Sequence, residues 1–159
     1  MKVDRVLVPL DGSPLAEIAL PQALAVLRDS PSATLILLRA AEATTLPGVD
    51  PTEAQVAVVR EAEEYLDGVA TRLRGEGLSR VTTSVWYSSA AQAIVEAARV
   101  RRVDLIVMST HGRSGLRRVV RGSVAESVLR RTGTPILLVS AGGVRVETPR
   151  RRKEAGIRL

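Results

Sequence analysis

The stretch "DLIVMSTHGRSGLRRVVRGSVAESVLRRTGTPILLVS", residues 104–140, decides how this chain is read. It opens on an apolar run (104–109) and closes on another, "PILLVS" (135–140). Short runs rich in Val, Ile and Leu, bounded by Gly, Pro, Ser or Asp, read as strands, and continuously apolar strands suit a sheet covered on both faces. Between the two runs lies a loop-like segment, 109–124, with three glycines, four arginines and no acidic residue. A helix is predicted over 123–132, with Ser123 and Glu126 as a capping box and Gly133 as its stop. The whole is a strand, a glycine-rich loop, a helix and a strand.

The same alternation extends backwards. "RVLVPL" (5–10), "TLILLRAA" (34–41) and "VTTSVWY" (81–87) read as three further strands. Residues 14–28 carry Leu20, Leu24 and Leu27 on one helical face, with Pro21 expected to kink the segment or mark its true start. Residues 52–74 carry Val58, Ala62, Tyr65, Leu66, Val69 and Leu73 at helical spacing. A helix over 90–102 has Ser89 and Gln92 in a second capping-box pattern. The order predicts an α/β fold, an open doubly wound five-stranded parallel sheet of order 3-2-1-4-5 with helices on both faces. One domain over 1–140 is expected, with a loop at 42–51. Residues 141–159 open with "AGG" and turn charged, and they read as a basic, disordered tail.

Composition narrows the class. The 159 residues are 45% hydrophobic and 25% charged, ordinary for a globular domain, and 2% aromatic, so the core must be aliphatic. There is no cysteine, which excludes disulfides and cysteine-ligated metal sites. No signal-peptide core or membrane-length apolar run is seen, so a cytoplasmic protein without membrane contact is expected. The net charge is +6, but residues 144–159 hold six basic residues against Glu147 and Glu154, so the tail carries +4 of it. The body is nearly neutral and offers no aromatic platform for stacking bases, so nucleic acid is not the expected partner, with the basic tail the one segment that could bind it.

In open parallel sheets, ligands sit beyond the carboxyl ends of the strands where strand order reverses. For order 3-2-1-4-5 that point lies between strands 1 and 4. It brings "LDGSP" (10–14) beside the 109–124 loop. Gly112, Gly115 and Gly122 let the backbone approach a ligand and adopt positive φ, and Gly122 and Ser123 precede a helix whose first amides favour an anion. Arg113, Arg117, Arg118 and Arg121 add positive potential. Asp11 suits ribose hydroxyls or an exocyclic amine, or serves simply to cap the helix that follows. These residues describe a nucleotide-like anion, with the glycines as plain turn residues the competing account. His111, the only histidine, has no identifiable orienting partner and reads as a loop residue rather than a catalytic one.

The opening "RVLVPLDGSPLAEIAL" and the segments "DLIVMSTHGRSG" and "GSVAESVLRRTGTPILLV" resemble the universal stress protein family, over about residues 3 to 140, and its ATP-binding branch in particular. The family's nucleotide pattern is glycine, two residues, glycine, nine residues, then glycine and Ser or Thr. Gly112, the nine residues that follow it and Gly122–Ser123 match, whereas Ser109 stands in place of the first glycine. The resemblance implies ATP between strands 1 and 4, with Mg²⁺ bridging its phosphates. Pro9, Leu10 and Asp11 would line the adenosine end, and Ala40 would offer backbone groups to adenine. Met108 and Ser109 would flank the ribose. Gly112, Arg113, Ser114, Gly115, Gly122, Ser123 and Val124 would hold phosphates. It also implies a homodimer through the last strand, 135–140, whose bare apolar edge invites pairing. The expected role is a nucleotide-dependent sensor or signalling module of the stress response, with at most slow hydrolysis. The rival is a module of the same fold that acts through protein partners with an empty site. An adenylating ligase is disfavoured, because "LDGSP" is not a Ser-Gly-Gly-rich loop.

Overall fold

The computed structural model describes residues 2–110 and 122–149. Six strands form one sheet: β1 (Arg5–Pro9), β2 (Thr34–Ala41), β3 (Val81–Tyr87), β4 (Leu105–Ser109), β5 (Ile136–Ser140) and β6 (Gly143–Glu147). Their spatial order is β3-β2-β1-β4-β5-β6, parallel throughout except for β6, which runs antiparallel to β5. The helices are α1 (Pro14–Glu17), α2 (Ala19–Arg28), α3 (Pro51–Gly75), α4 (Ala90–Val100) and α5 (Ser123–Arg131).

The period-2 alternation of the strands divides the core into two layers. Val6, Val8, Leu35, Leu37 and Val107 point to one face, where Leu20, Ala23 and Leu27 of α2 and Leu66, Val69 and Leu73 of α3 cover them. Leu7, Ile36, Leu38, Ile106 and Met108 point to the other, under Ile94 and Ala97 of α4 and Val128 of α5. The central strands β1, β2 and β4 are thus covered on both sides, which is why their sequences are largely apolar.

Pro21 lies in the first turn of α2, where its missing N–H deprives the helix of nothing. The break it was expected to mark falls just before, at Ile18, between α1 and α2. Neither predicted capping box forms. Ser89 does precede α4, but its side chain makes no cap bond. In α5 the N-cap is Gly122, so Ser123 is the first helical residue. Glu126, displaced by one position, pairs instead with Arg130 at 2.6 Å.

The expected disordered tail needs correction at its start. Residues 143–147 form β6 along the outer edge of β5, with Val144 opposite Val139 and Val146 opposite Leu137. Alternating valines continue the apolar face of β5, and Gly143, at φ 144°, supplies the tight return. The edge of 135–140 is therefore not bare, and the open edge of the sheet on this side belongs to β6. Among the described residues no helix is long and apolar enough to cross a membrane.

Candidate functional site

The cleft arises where β1 and β4 part. They pair only at Val6 with Leu105 and Leu7 with Ile106. Beyond that point β1 stays with β2, and the Leu10 amide donates to the Leu38 carbonyl at 2.8 Å. The end of β4 stays with β5, where the Thr110 amide donates to the Val139 carbonyl at 2.9 Å. The divergence leaves a cavity of about 160 Å³ at the carboxyl ends, lined by Pro9, Leu10, Asp11, Ala16, Leu38, Ala40, Ala90, Ile94, Met108, Ser109 and residues 122–125.

Of the residues singled out from the sequence, Pro9, Leu10, Asp11, Ala40, Met108, Ser109, Gly122, Ser123 and Val124 come together around this one cavity. Gly112, Arg113, Ser114 and Gly115, with His111, Arg117, Arg118 and Arg121, lie outside the described residues. The sequence reading missed Ala16, Leu38, Ala90, Ile94 and Ala125, which also line it. Ala90 and Ile94 are four apart on one face of α4, a spacing that signals a contact face without saying that the face turns towards a cleft.

Asp11 has a structural task beside its place in the cleft. Its Oδ1 accepts from the Ser13 amide at 2.8 Å and from the Ser13 hydroxyl at 2.5 Å. Ser13 is the N-cap of α1, and its Oγ accepts from the Ala16 amide at 3.2 Å. The carboxylate thus fixes the turn that caps the helix, and the turn in return fixes the carboxylate at the mouth of the cleft.

Gly122 has φ −54°, so positive φ is not what this position uses, contrary to expectation. What glycine contributes is the absence of a side chain where α5 enters the cleft. Gly122, the N-cap of α5, has no side chain with which to cap it. The first amides of a helix lack intrahelical partners, so its amino end offers N–H groups and the positive end of the helix dipole to the cavity. Ser109 lies in β4 opposite Val139, and among the described residues Arg102 is the one non-glycine with positive φ. The position where the nucleotide pattern has glycine is therefore ordinary extended backbone, which serine adopts without strain. Among the described residues no three His, Cys, Asp or Glu side chains are grouped to hold a metal ion.

The cleft chemistry is divided. An apolar floor of Leu38, Ala40, Ile94 and Met108 lies between a carboxylate at the end of β1 and the first amides of α5, whose N-cap is a glycine. That is the switch-point crevice of an open α/β sheet, with an apolar slot and an anion-favouring end. The chain belongs to the universal stress protein family, whose profile matches residues 2–140. A universal stress protein of Methanocaldococcus jannaschii is 29% identical over 140 residues, covering 85% of this chain and 81% of that one. The solved structure of the hypothetical protein MJ0577, also from Methanocaldococcus jannaschii, superposes with a TM-score of 0.73 at 26% identity, covering 88% of this chain and 97% of that one. A universal stress protein crystallised in complex with cAMP superposes at 0.59, again at 26% identity, covering 88% and 98%.

Proposed function

We propose that this universal stress protein binds an adenine nucleotide, ATP, in the cleft between β1 and β4. The observation that carries the reading is the assembly of Asp11, Ala40, Met108, Ser109 and Gly122–Val124, drawn from four separate elements and loops, around one cavity. The apolar floor suits a base, and the Asp11 carboxylate suits hydroxyl or amine donors. The amino end of α5, whose N-cap is a glycine, suits phosphate oxygens; a Mg²⁺ ion would be held mainly by the phosphates and would neutralise their charge, because one carboxylate is a poor metal site on its own. The cAMP-bound relative supports a nucleotide in this fold. Gly112, Arg113, Ser114 and Gly115 are assigned to the phosphates by the motif alone. Bound nucleotide then acts as a signal in the stress response. Hydrolysis is at most slow, since the one acidic side chain at the described part of the cleft is engaged by Ser13.

The test is calorimetry of the full chain with Mg·ATP at physiological salt. One site per chain with roughly micromolar affinity is expected. Gly122→Val, which places a branched side chain at the mouth of α5, should weaken it at least ~10-fold, about 1.4 kcal/mol. Wild-type protein that stays silent up to millimolar ATP would reject the nucleotide and favour a module that acts through protein partners.

The homodimer belongs to the same proposal, with its contact moved from 135–140 to β6. Val144 and Val146 are 47% and 68% exposed along that open edge. Light scattering should give a dimer that Val146→Lys converts to monomer, and a wild-type monomer at high micromolar concentration removes the idea.

A further inference from the structure

Behind the cleft, on the opposite face of the sheet, sits a side chain that neither the family pattern nor the cavity includes. Leu38 and Ala40 of β2 face the cavity, so Arg39 between them points the other way, towards α3. It is 17% exposed. Its guanidinium lies 5.1 Å from the centroid of the Tyr65 ring, within cation–π range, and donates to Glu61 Oε1 at 3.2 Å. Tyr65 and Glu61 are one helical turn apart on α3, so the helix offers a ring and a carboxylate to one planar fork.

The far side of that fork meets Gly12. A Cβ at this glycine would stand 3.3 Å from Arg39 Nη1 and 3.4 Å from Cζ, and Gly12 has φ +87°. The positive φ favours glycine here, and a Cβ would crowd the guanidinium, which would have to give by a few tenths of an ångström. Gly12 lies between Asp11, which lines the cleft, and Ser13, which Asp11 holds. Arg72 of α3 also reaches back to Glu17 of α1 at 2.6 Å, so the segment following the turn is tied to the same helix.

We propose that Arg39 is a positioning residue: clamped by Tyr65 and Glu61, it backs the turn at Gly12 and so sets where the Asp11 carboxylate stands in the cleft. It is not among the residues that line the cavity. The consequence for nucleotide affinity rests on the function proposed above, but the effect on the turn does not.

Two readouts keep those separable. Amide hydrogen exchange on the full chain, without nucleotide, compares wild type with Arg39→Met, which keeps an unbranched apolar side chain and loses the fork. Exchange at Gly12 and Ser13 should rise about 10-fold, while Ile106 and Ile136 in the core stay unchanged. Mg·ATP affinity should fall about 5-fold in the same variant and recover in part in Arg39→Lys, which keeps the charge. If Arg39→Met fails to fold, Glu61→Gln, which loosens only the carboxylate anchor, should still give about a 3-fold local rise. Unchanged exchange at Gly12 and Ser13, or a rise spread evenly over the core, overturns the proposal. Wild-type protein that binds no ATP sinks the nucleotide reading and leaves the exchange result to decide on Arg39.

Discussion

The two ends of the β1–β4 pair are opposites. At the amino end the strands are stitched: Asp104 Oδ2 accepts from the Asp4 amide at 2.8 Å and the Arg5 amide at 2.9 Å, and the Asp104 amide donates to the Arg5 carbonyl at 3.0 Å. At the carboxyl end, after two register pairs, each strand follows its other neighbour and a cavity opens. One side chain closes the first end, and the second is left to whatever occupies it. The stitch and the proposed binding cleft therefore lie at opposite ends of the same two strands, so substitutions can address them separately.

The strongest way to break that separation is Asp104→Ala. It leaves two backbone amides without their charged acceptor and should destabilise by about 2 kcal/mol, or roughly 4–8 °C in Tm. Nucleotide affinity should not change, and calorimetry beside a thermal melt checks both. A loss of affinity would show that the stitch also shapes the cleft. Ser109→Gly restores the glycine of the nucleotide pattern in an already extended strand. Affinity should change less than about 3-fold, while stability drops by about 0.5–1 kcal/mol through added backbone freedom. A large gain in affinity would mean that the serine side chain obstructs the site.

The smallest effect concerns Tyr65, whose buried hydroxyl has no hydrogen-bond partner among the described residues. Burial first, then the charges of Glu17 and Asp11, raise its pKa above the usual 10.0, against the lowering influence of Arg39 and Arg72. A folded-state pKa above the unfolded one gives stability that is fully present below pH 10 and is lost as pH rises through the folded value. Tyr65→Phe should be nearly neutral at pH 7, within about 0.5 kcal/mol, because it removes a polar group that bonds to none of the described residues. It should also flatten the alkaline fall in stability, as urea melts between pH 9 and 11 would record.

The carboxyl end of this pair was largely legible from sequence and the amino end was not. Asp11 after one apolar run and Gly122–Ser123 before a helix are local signals, and the switch-point rule brings them together without coordinates. Asp104 carries no signal beyond its place at the start of an apolar run, because its partners are about a hundred positions away. β6 was missed because its valines alternate over only five largely exposed residues, inside a segment whose charge suggested solvent. The capping box at Ser123 misled because Gly122 took the N-cap that Ser123 was expected to fill, shifting the frame by one residue. Arg39 carried no signal at all, since its meaning depends on α3 folding back over β2.

The distance that hid Asp104 also fixes when its bonds form. Closing a loop of about a hundred residues costs entropy before any contact rewards it, so such bonds come late in folding. The hydrogen bonds from Asp4 and Arg5 should be absent from the folding transition state, and Asp104→Ala should speed unfolding while leaving the refolding rate nearly untouched. The stitch would then act as a latch on the finished molecule, setting how long the protein stays folded rather than how fast it gets there.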